Sequence, residues 1–196
     1  MSLAKLQIEQ IEKTIKNSLR KKFKSYNPES KNMPFHYSLL GKDRMALFSF
    51  IHSLNTTFGT SIFEPVAETL AKTRFQRAEK QFIVGKTISE SSQKKIQEII
   101  NNLSTGTDPN KSIEIEKIRN VCQESPMNEI NTVKADLFIE DKNGSIYLID
   151  LKTAKPNISN FKDFKRTLLE WAAIYLSEHP TTDIHSIIAI PYNLYN

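Results

Sequence analysis

Two strand-forming segments joined by a tight turn constrain the fold of this 196-residue chain more than any other feature. Residues 133–140 and 145–152 are rich in β-branched, aromatic and aliphatic side chains, and an Asp-Lys-Asn-Gly turn at residues 141–144 separates them. Glycine permits the left-handed backbone that a three-residue hairpin loop requires. Apolar residues occupy both alternating faces of each segment, which predicts strands that are buried on both sides. Such a sheet needs helices to cover it, so the pattern indicates an α/β domain with a mixed sheet.

The length of the turn predicts which side chains face each other across the hairpin. With a three-residue loop at residues 142–144, Asp136 lies directly opposite Asp150, and opposed side chains share one face about 5 Å apart. Lys152 shares this face because strand side chains alternate and it follows Asp150 by two residues. A two-residue Asn-Gly turn would instead place Asp136 diagonal to Asp150. In both cases one end of one face carries two carboxylates and an ammonium group.

This combination of charges predicts a particular chemistry. Two carboxylates at the edge of an apolar layer repel each other, and a divalent cation removes that repulsion. Mg²⁺ needs only one or two protein carboxylates, because water and substrate phosphate complete its coordination. Lys152 can steady a scissile phosphate, or position and deprotonate the attacking water. Asp136, Asp150 and Lys152 therefore predict metal-assisted phosphodiester hydrolysis. The alternative is a structural ion pair of Asp150 with Lys152 or Lys134.

Charge is distributed unevenly between the two halves of the chain. Residues 1–98 contain 17 Lys and Arg against 9 Asp and Glu, a balance of +8, whereas residues 99–196 contain 10 against 13, a balance of −3. This asymmetry is compatible with one part that binds a polyanion and another that concentrates carboxylates for a metal. A solvated basic helix is the alternative. A single cysteine, Cys122, excludes an internal disulfide and a multi-cysteine zinc site, and it suits a reducing cytoplasm.

Hydrophobic periodicity and capping signals place the remaining elements. Helices are predicted over residues 4–26, about 43–58, about 60–74, 89–103 and 159–178, and two further strands over 82–88 and 184–190. In this prediction Gly59 ends the second helix, and Thr60 or Ser61 begins the third. Residues 112–122 fit a helix and a strand equally well. No apolar run approaches the ~18 residues of a membrane-spanning helix.

Several of these segments resemble one known superfamily. The arrangement of Lys134-Ala135-Asp136, the hairpin, Asp150-Leu151-Lys152-Thr153 and Lys155-Pro156-Asn157 resembles the PD-(D/E)xK nucleases. More narrowly, it is similar to TdeIII-like type II restriction endonucleases, which residues 59–64 also resemble, and the likeness runs from about residue 40 to the end. The first acid follows Ala135 rather than a proline, a departure that is common in the superfamily.

The resemblance implies a fold and an activity. The expected fold is α/β: a restriction-endonuclease-like core of helix, three-stranded mixed sheet, helix and strand, with an added N-terminal helical region. The basic N-terminal region would cover residues 1–58, and the nuclease core 59–196 with a helical insertion around 89–106. The implied activity is Mg²⁺-dependent cleavage of duplex DNA at a short specific site by a homodimer, and the narrower resemblance implies a GGNCC-like site.

The resemblance also assigns roles to individual residues. Asp136, Asp150 and the Leu151 carbonyl would carry Mg²⁺, and Lys152 would be catalytic. Glu64 would join the metal from the first core helix, with Glu68 as its substitute. The alternative for Glu64 is a capping box that begins at Ser61.

Two further lysines are candidates for contacts with DNA phosphate, Lys155 and Lys134. The alternative for Lys155 is a solvated lysine before a proline turn.

Three alternative functions are consistent with these sequence features. The first is a type II restriction endonuclease, and the second is a DNA repair or junction-resolving nuclease on the same scaffold. The third is a nucleic-acid-binding module without activity, in which Asp136 and Asp150 are structural. In the first two, duplex DNA is the partner and Mg²⁺ the cofactor, with no organic cofactor and no membrane partner expected.

Overall fold

The structure is a computed structural model that describes residues 3–27, 34–153 and 157–190. It divides into two compact units, residues 1–70 and residues 71–196. The first unit is helical and the second contains the sheet. Across the described ranges, no helix combines the length and the apolar character that crossing a bilayer requires.

The N-terminal unit consists of helices whose periodicity is visible in the sequence. Its elements are α1 (Lys5–Ser25), α2 (Pro34–Leu40), α3 (Lys42–Thr57), a π-helical turn (Phe58–Phe63) and α4 (Glu64–Ala71), which extends one residue into the second unit. The predicted helix over 4–26 is confirmed as α1. Helix α2 was not predicted. A loop is predicted from the sequence over 28–34; its residues 28–33 lie outside the described residues, and Pro34 is the first residue of α2.

The predicted helix break at Gly59 is wrong. Residues 58–63 form a π-helical turn that joins α3 to α4 without interruption, and the Glu64 N–H donates to the Gly59 carbonyl five residues earlier. Pro65 provides a physical reason, because proline has no N–H and crowds the carbonyl four residues before it. A widened turn accommodates such a residue inside a continuous helix. Since no helix begins at Ser61, the capping-box interpretation of Glu64 is also wrong.

The C-terminal unit is built on one mixed sheet. Its strands, in the order in which they lie side by side, are β1 (Arg77–Ser89), β2 (Met127–Glu140), β3 (Ile146–Leu151) and β4 (Ile184–Ala189). The first three are antiparallel neighbours, and β4 pairs parallel to β3. The expected three-stranded sheet is therefore corrected to four strands, because β4 hydrogen-bonds directly along β3 and joins the same sheet.

The helices of this unit are α5 (Glu90–Ser104), α6 (Lys111–Arg119) and α7 (Phe161–Glu178), and a short 3₁₀ turn, Ile158–Asn160, precedes α7. Helices α5 and α7 pack against the strands, and α6 packs against α5 and α7. Ser89 caps α5 as predicted, since its side chain accepts the Ser92 N–H. The ambiguous segment 112–122 is mainly helical, and Asn110 caps it by accepting the Ile113 N–H.

The apolar core lies between the sheet and these helices. Fully buried members of the cluster include Phe138 and Leu148 from the sheet and Ile174 from α7. Leu137 and Ile149, whose side chains alternate to the other face, are 3% and 8% exposed. Both faces of the hairpin are therefore buried, as the nearly continuous apolar pattern predicts.

Candidate active site

The hairpin between β2 and β3 has the predicted three-residue loop. Gly144 adopts φ 83°, the left-handed region that the last loop position requires. The Asp141 N–H donates to the Ser145 carbonyl at 3.0 Å, and the Asp141 carboxylate accepts the backbone N–H groups of Asn143 and Ser145 at 2.7 and 3.0 Å. This loop closes the hairpin with Glu140 opposite Ile146, so the predicted register is confirmed.

The same register brings two acids together at the far end of the hairpin. The last ladder pair is Leu137 with Ile149, and one further step places Asp136 opposite Asp150. There the side chain of Asp136 replaces a backbone acceptor, because its Oδ2 accepts the Leu151 N–H at 2.8 Å. Asp136 is thereby fixed to the neighbouring strand. Asp150 is only 7% exposed.

Lys152 completes the group of charges. Its Nζ lies 2.9 Å from Asp150 Oδ1 and 4.7 Å from the centroid of the Phe164 ring on α7. The Lys152 N–H donates to the Ala189 carbonyl of β4 at 2.9 Å, so the backbone is held as well as the side chain. About a third of the Lys152 side chain remains exposed. An ammonium group is therefore held beside the acids with a path to solvent.

The electrostatics of the pair follow from burial and proximity. Burial raises the pKa of Asp136, and the charge and side-chain hydrogen bonding of Asp150 raise it further. The Leu151 N–H and the charge of Lys152 act in the opposite direction on this pKa. Two carboxylates are thus kept where a second negative charge is unfavourable, and such pairs are typical of functional sites. The ion pair of Asp150 with Lys152 alone would not require Asp136 to face them.

The donor set fits a hard divalent cation. Among the described residues, no group of three or more His, Cys, Asp or Glu side chains that could hold a metal is present, so this site offers oxygen from two acids. Mg²⁺ accepts such a set because it keeps several waters and binds substrate phosphate. The Leu151 N–H contacts only one oxygen of Asp136, and Lys152 contacts only one oxygen of Asp150.

The remaining predicted residues are distributed over the two units. Lys134 is exposed on β2, two residues before Asp136, and Lys155 lies outside the described residues. Glu64 is the first residue of α4 and is 4% exposed, and Glu68 follows one turn later; both belong to the N-terminal unit. Their roles toward a metal remain predictions.

Sequence reasoning missed Gln81 on β1. The flanking pairs, Lys80 with Leu137 and Phe82 with Ala135, bring Gln81 opposite Asp136 on the other neighbouring strand. Gln81 has φ 52°, a conformation that costs a non-glycine residue roughly 1–2 kcal/mol.

Phe82, the residue after Gln81, stacks on Phe138 with ring centroids 4.1 Å apart, whereas the residue paired with Phe138 in the ladder is Glu79. No feature of the sequence marks Gln81, because a left-handed glutamine inside a strand has no local pattern.

Comparisons with known proteins identify similar sequences. The family model described as "Type II restriction endonuclease, HinfI" matches residues 3–196. The chain is 30% identical to the type II restriction enzyme MjaII of Methanocaldococcus jannaschii over an alignment 213 positions long, which covers 98% of this chain and 56% of that protein. It is 26% identical to the type II restriction enzyme HgiCII of Herpetosiphon aurantiacus over 163 residues, 82% of this chain and 58% of that protein. The chain therefore spans a little over half the length of these curated relatives. No solved structure is significantly similar to it.

Proposed function

Because the chain belongs to the HinfI family of type II restriction endonucleases, we propose that it is a nuclease chain that hydrolyses phosphodiester bonds of duplex DNA at a short specific site. The observation that carries this proposal is the juxtaposition at one end of the hairpin. Asp136 faces Asp150 across neighbouring strands, and Lys152 Nζ is 2.9 Å from Asp150 Oδ1. The geometry is also what a PD-(D/E)xK site requires, so we assign the chain to that superfamily, and the TdeIII-like resemblance stays a prediction.

Type II restriction endonucleases generally use a divalent metal ion, and we assign Mg²⁺ to this site. Asp136, Asp150 and the Leu151 carbonyl would hold it, and Glu64 is the additional acid to test. When bound, Mg²⁺ polarises a phosphoryl oxygen and lowers the pKa of its water.

The chain's own residues supply orientation and charge. The Leu151 N–H fixes the Asp136 carboxylate, which keeps one oxygen of this acid turned toward the neighbouring strand. Lys152 presents an ammonium group that can hold the scissile phosphate or orient the water that attacks it. The contact with the Phe164 ring restricts where that ammonium can move. Lys134 and Lys155 are the proposed contacts to adjacent phosphates.

The proposed assembly is a homodimer acting in the cytoplasm, in which two copies of the acid pair each cut one strand. A palindromic recognition site suits such a dimer because its symmetry matches the protein's. A GGNCC-like sequence is the candidate to examine first.

The experiment that tests the proposal is incubation of the purified chain with plasmid DNA and Mg²⁺, with EDTA as the control. Discrete fragments, with ends that map to one sequence, support a restriction endonuclease. Non-specific degradation would favour a repair nuclease on the same scaffold. Intact plasmid together with a gel shift would favour a binding module without activity, and it would overturn the proposal.

A further inference from the structure

A polar cavity of about 470 Å³ lies within the N-terminal unit, and none of its lining residues belongs to the site assigned above. One wall is the C-terminal end of α1 and the residues after it, and the other is α3 and the π-helical turn. Hydroxyl, amide, imidazole and ammonium groups line it, among them Lys22, Tyr26, Asn27, His52, Ser53 and Thr56. Within the described part of the chain, neither Asp nor Glu lines this cavity.

The two walls are held together by direct contacts. The ring of Phe50 on α3 packs against Phe23 and Tyr26, with centroids 5.3 and 5.0 Å apart. The Tyr26 hydroxyl donates to the Ala46 carbonyl at 3.3 Å. The two walls of the cavity are therefore held in place by packing contacts between the C-terminal end of α1 and α3.

Lys22 reaches across the cavity from α1 to α3. Its Nζ donates to Ser53 Oγ and lies 5.7 Å from the centroid of the Tyr26 ring. Ser53 is a neutral partner, and an ammonium group has three donors. Among the described residues, Lys22 forms no ion pair with a carboxylate, so its charge is available to an anion.

The charged side chains along the second half of α1 are positive, like that of Lys22. From Lys13 to the end of α1 the helix carries six cations and no acid: Lys13, Lys16, Arg20, Lys21, Lys22 and Lys24. Of these six cations, Lys16 forms an ion pair with Glu12 at 2.7 Å. A surface of this kind concentrates polyanions around it.

We propose that this cavity binds a phosphate of a nucleic-acid backbone, a phosphodiester of duplex DNA. Phosphate oxygens accept hydrogen bonds from lysine, hydroxyl and amide groups, which are the groups present here. Thr57 Oγ1 now donates to the Ser53 carbonyl at 2.9 Å, and Ser25 Oγ to the Lys21 carbonyl at 2.9 Å; hydroxyls can rotate to donate to a bound anion instead. The choice of DNA as the ligand rests on the proposed function. The contact between the cavity and a backbone phosphate would strengthen DNA binding without reading the base sequence.

The primary test is the affinity of the full chain for a fluorescent duplex, measured by anisotropy in EDTA over a series of NaCl concentrations. Lys22→Gln is expected to weaken binding about fivefold to tenfold for every sequence and to reduce the salt slope by about one. Lys16→Gln, which removes a charge already paired with Glu12, is the matched control and is expected to change affinity less than about twofold.

A second pair of variants does not depend on Lys22. Thr56 is exposed on the wall of the cavity, so Thr56→Glu is expected to fold and to place a repelling carboxylate there. It should weaken duplex binding about tenfold or more, whereas the neutral Thr56→Gln should weaken it far less. Equal affinities for Thr56→Glu and Thr56→Gln would overturn the proposal.

Inorganic phosphate distinguishes the two sources of the ligand. If phosphate raises the midpoint of thermal unfolding of the wild type but Lys22→Gln leaves duplex binding unchanged, the cavity takes free phosphate and the DNA assignment is wrong. The outcomes also separate this inference from the proposed function. Unchanged DNA binding by both charge variants of a chain that still cuts plasmid overturns only the inference, whereas a wild type that neither binds nor cuts DNA overturns both.

Discussion

The carboxylate of Asp136 accepts the backbone N–H of Leu151 at 2.8 Å, across the point where the ladder between β2 and β3 ends. A side chain thus takes the place of a strand carbonyl. The consequence is that the acid on β2 is anchored to the strand that carries Asp150 and Lys152. The relative positions of the two carboxylates therefore depend on a bond of the backbone rather than on a flexible surface contact.

Replacement of Asp150 by alanine is expected to abolish cleavage while duplex binding is kept or strengthened. The variant removes one of the two acids that we propose hold the metal, and it also removes a negative charge that repels DNA phosphate. A loss of about three orders of magnitude or more in single-turnover cleavage with Mg²⁺ is expected, which corresponds to about 4 kcal/mol of barrier. Asp183→Ala removes an exposed acid whose partners are Ser145 and His185, and it serves as the control. Cleavage by Asp150→Ala at the wild-type rate would end the assignment of this site.

Replacement of Asp136 by asparagine is expected to stabilise the metal-free protein at neutral pH. The folded pKa of Asp136 is raised above its ordinary value of 3.8, so the folded state binds more protons than the unfolded state. The free energy of unfolding of the wild type therefore falls as pH rises from the unfolded-state pKa of Asp136 to its higher folded-state pKa. Asparagine removes this penalty and keeps an oxygen that can accept the Leu151 N–H.

Thermal unfolding in EDTA measures this effect. The midpoint for Asp136→Asn should exceed that of the wild type by a few degrees at pH 7, and the difference should vanish as pH falls below about 3.8. Asp108→Asn, in an exposed turn, is the control and should show no such pH dependence. A lower midpoint for Asp136→Asn at pH 7 would show that the charged Asp136 carboxylate does not destabilise the folded state.

Replacement of Lys152 by methionine is expected to slow cleavage by about two orders of magnitude or more, because the variant keeps the length of the side chain and loses its charge. Lys152→Arg keeps the charge and the contact with the Phe164 ring, but the planar guanidinium cannot reproduce the compact ammonium. It should recover part of the rate. Duplex affinity should change less than the rate does, and Lys142→Met in the exposed hairpin loop provides the comparison. Wild-type cleavage by Lys152→Met would make the lysine a structural partner of Asp150 only.

Replacement of Gly85 by alanine is expected to destabilise the C-terminal unit by about 1–3 kcal/mol. A Cβ at this position of β1 would lie 2.5 Å from Cγ2 of Ile174 on α7, in a core where Ile174 is 1% exposed. The branched side chain of a helical isoleucine has little freedom to move aside. Urea unfolding of Gly85→Ala, of Ile174→Leu and of the double variant tests the contact, because leucine has no Cγ2. The same penalty for Gly85→Ala in both backgrounds would refute the explanation.

Local patterns predicted the parts of the fold that depend on local physics. The hairpin follows from two nearly continuous apolar segments and from Gly144 between them, and the helices over 5–25 and 161–178 follow from their periodicity. By contrast, the break at Gly59 was predicted wrongly, because glycine and Pro65 are usually signals that end a helix. The π-helical turn keeps the helix continuous, and a widened turn has no sequence signature.

Strand β1 is a second case in which local sequence patterns do not predict the structure. Residues 77–81 are polar except for Ala78 and were not predicted as a strand, but pairing with β2 supplies their backbone hydrogen bonds. Gln81 could not have been singled out for the same reason, since its position beside Asp136 exists only once β1 and β2 are paired.

The amino-acid sequence by itself determined that Asp136, Asp150 and Lys152 would share one face of a buried hairpin, because side-chain alternation and loop length act over a few residues. Only the tertiary structure decided that β4 would hold the backbone of Lys152, that Phe164 would lie under its ammonium group and that Gln81 would flank Asp136. These contacts join residues far apart in the chain, and packing of the whole unit selects them.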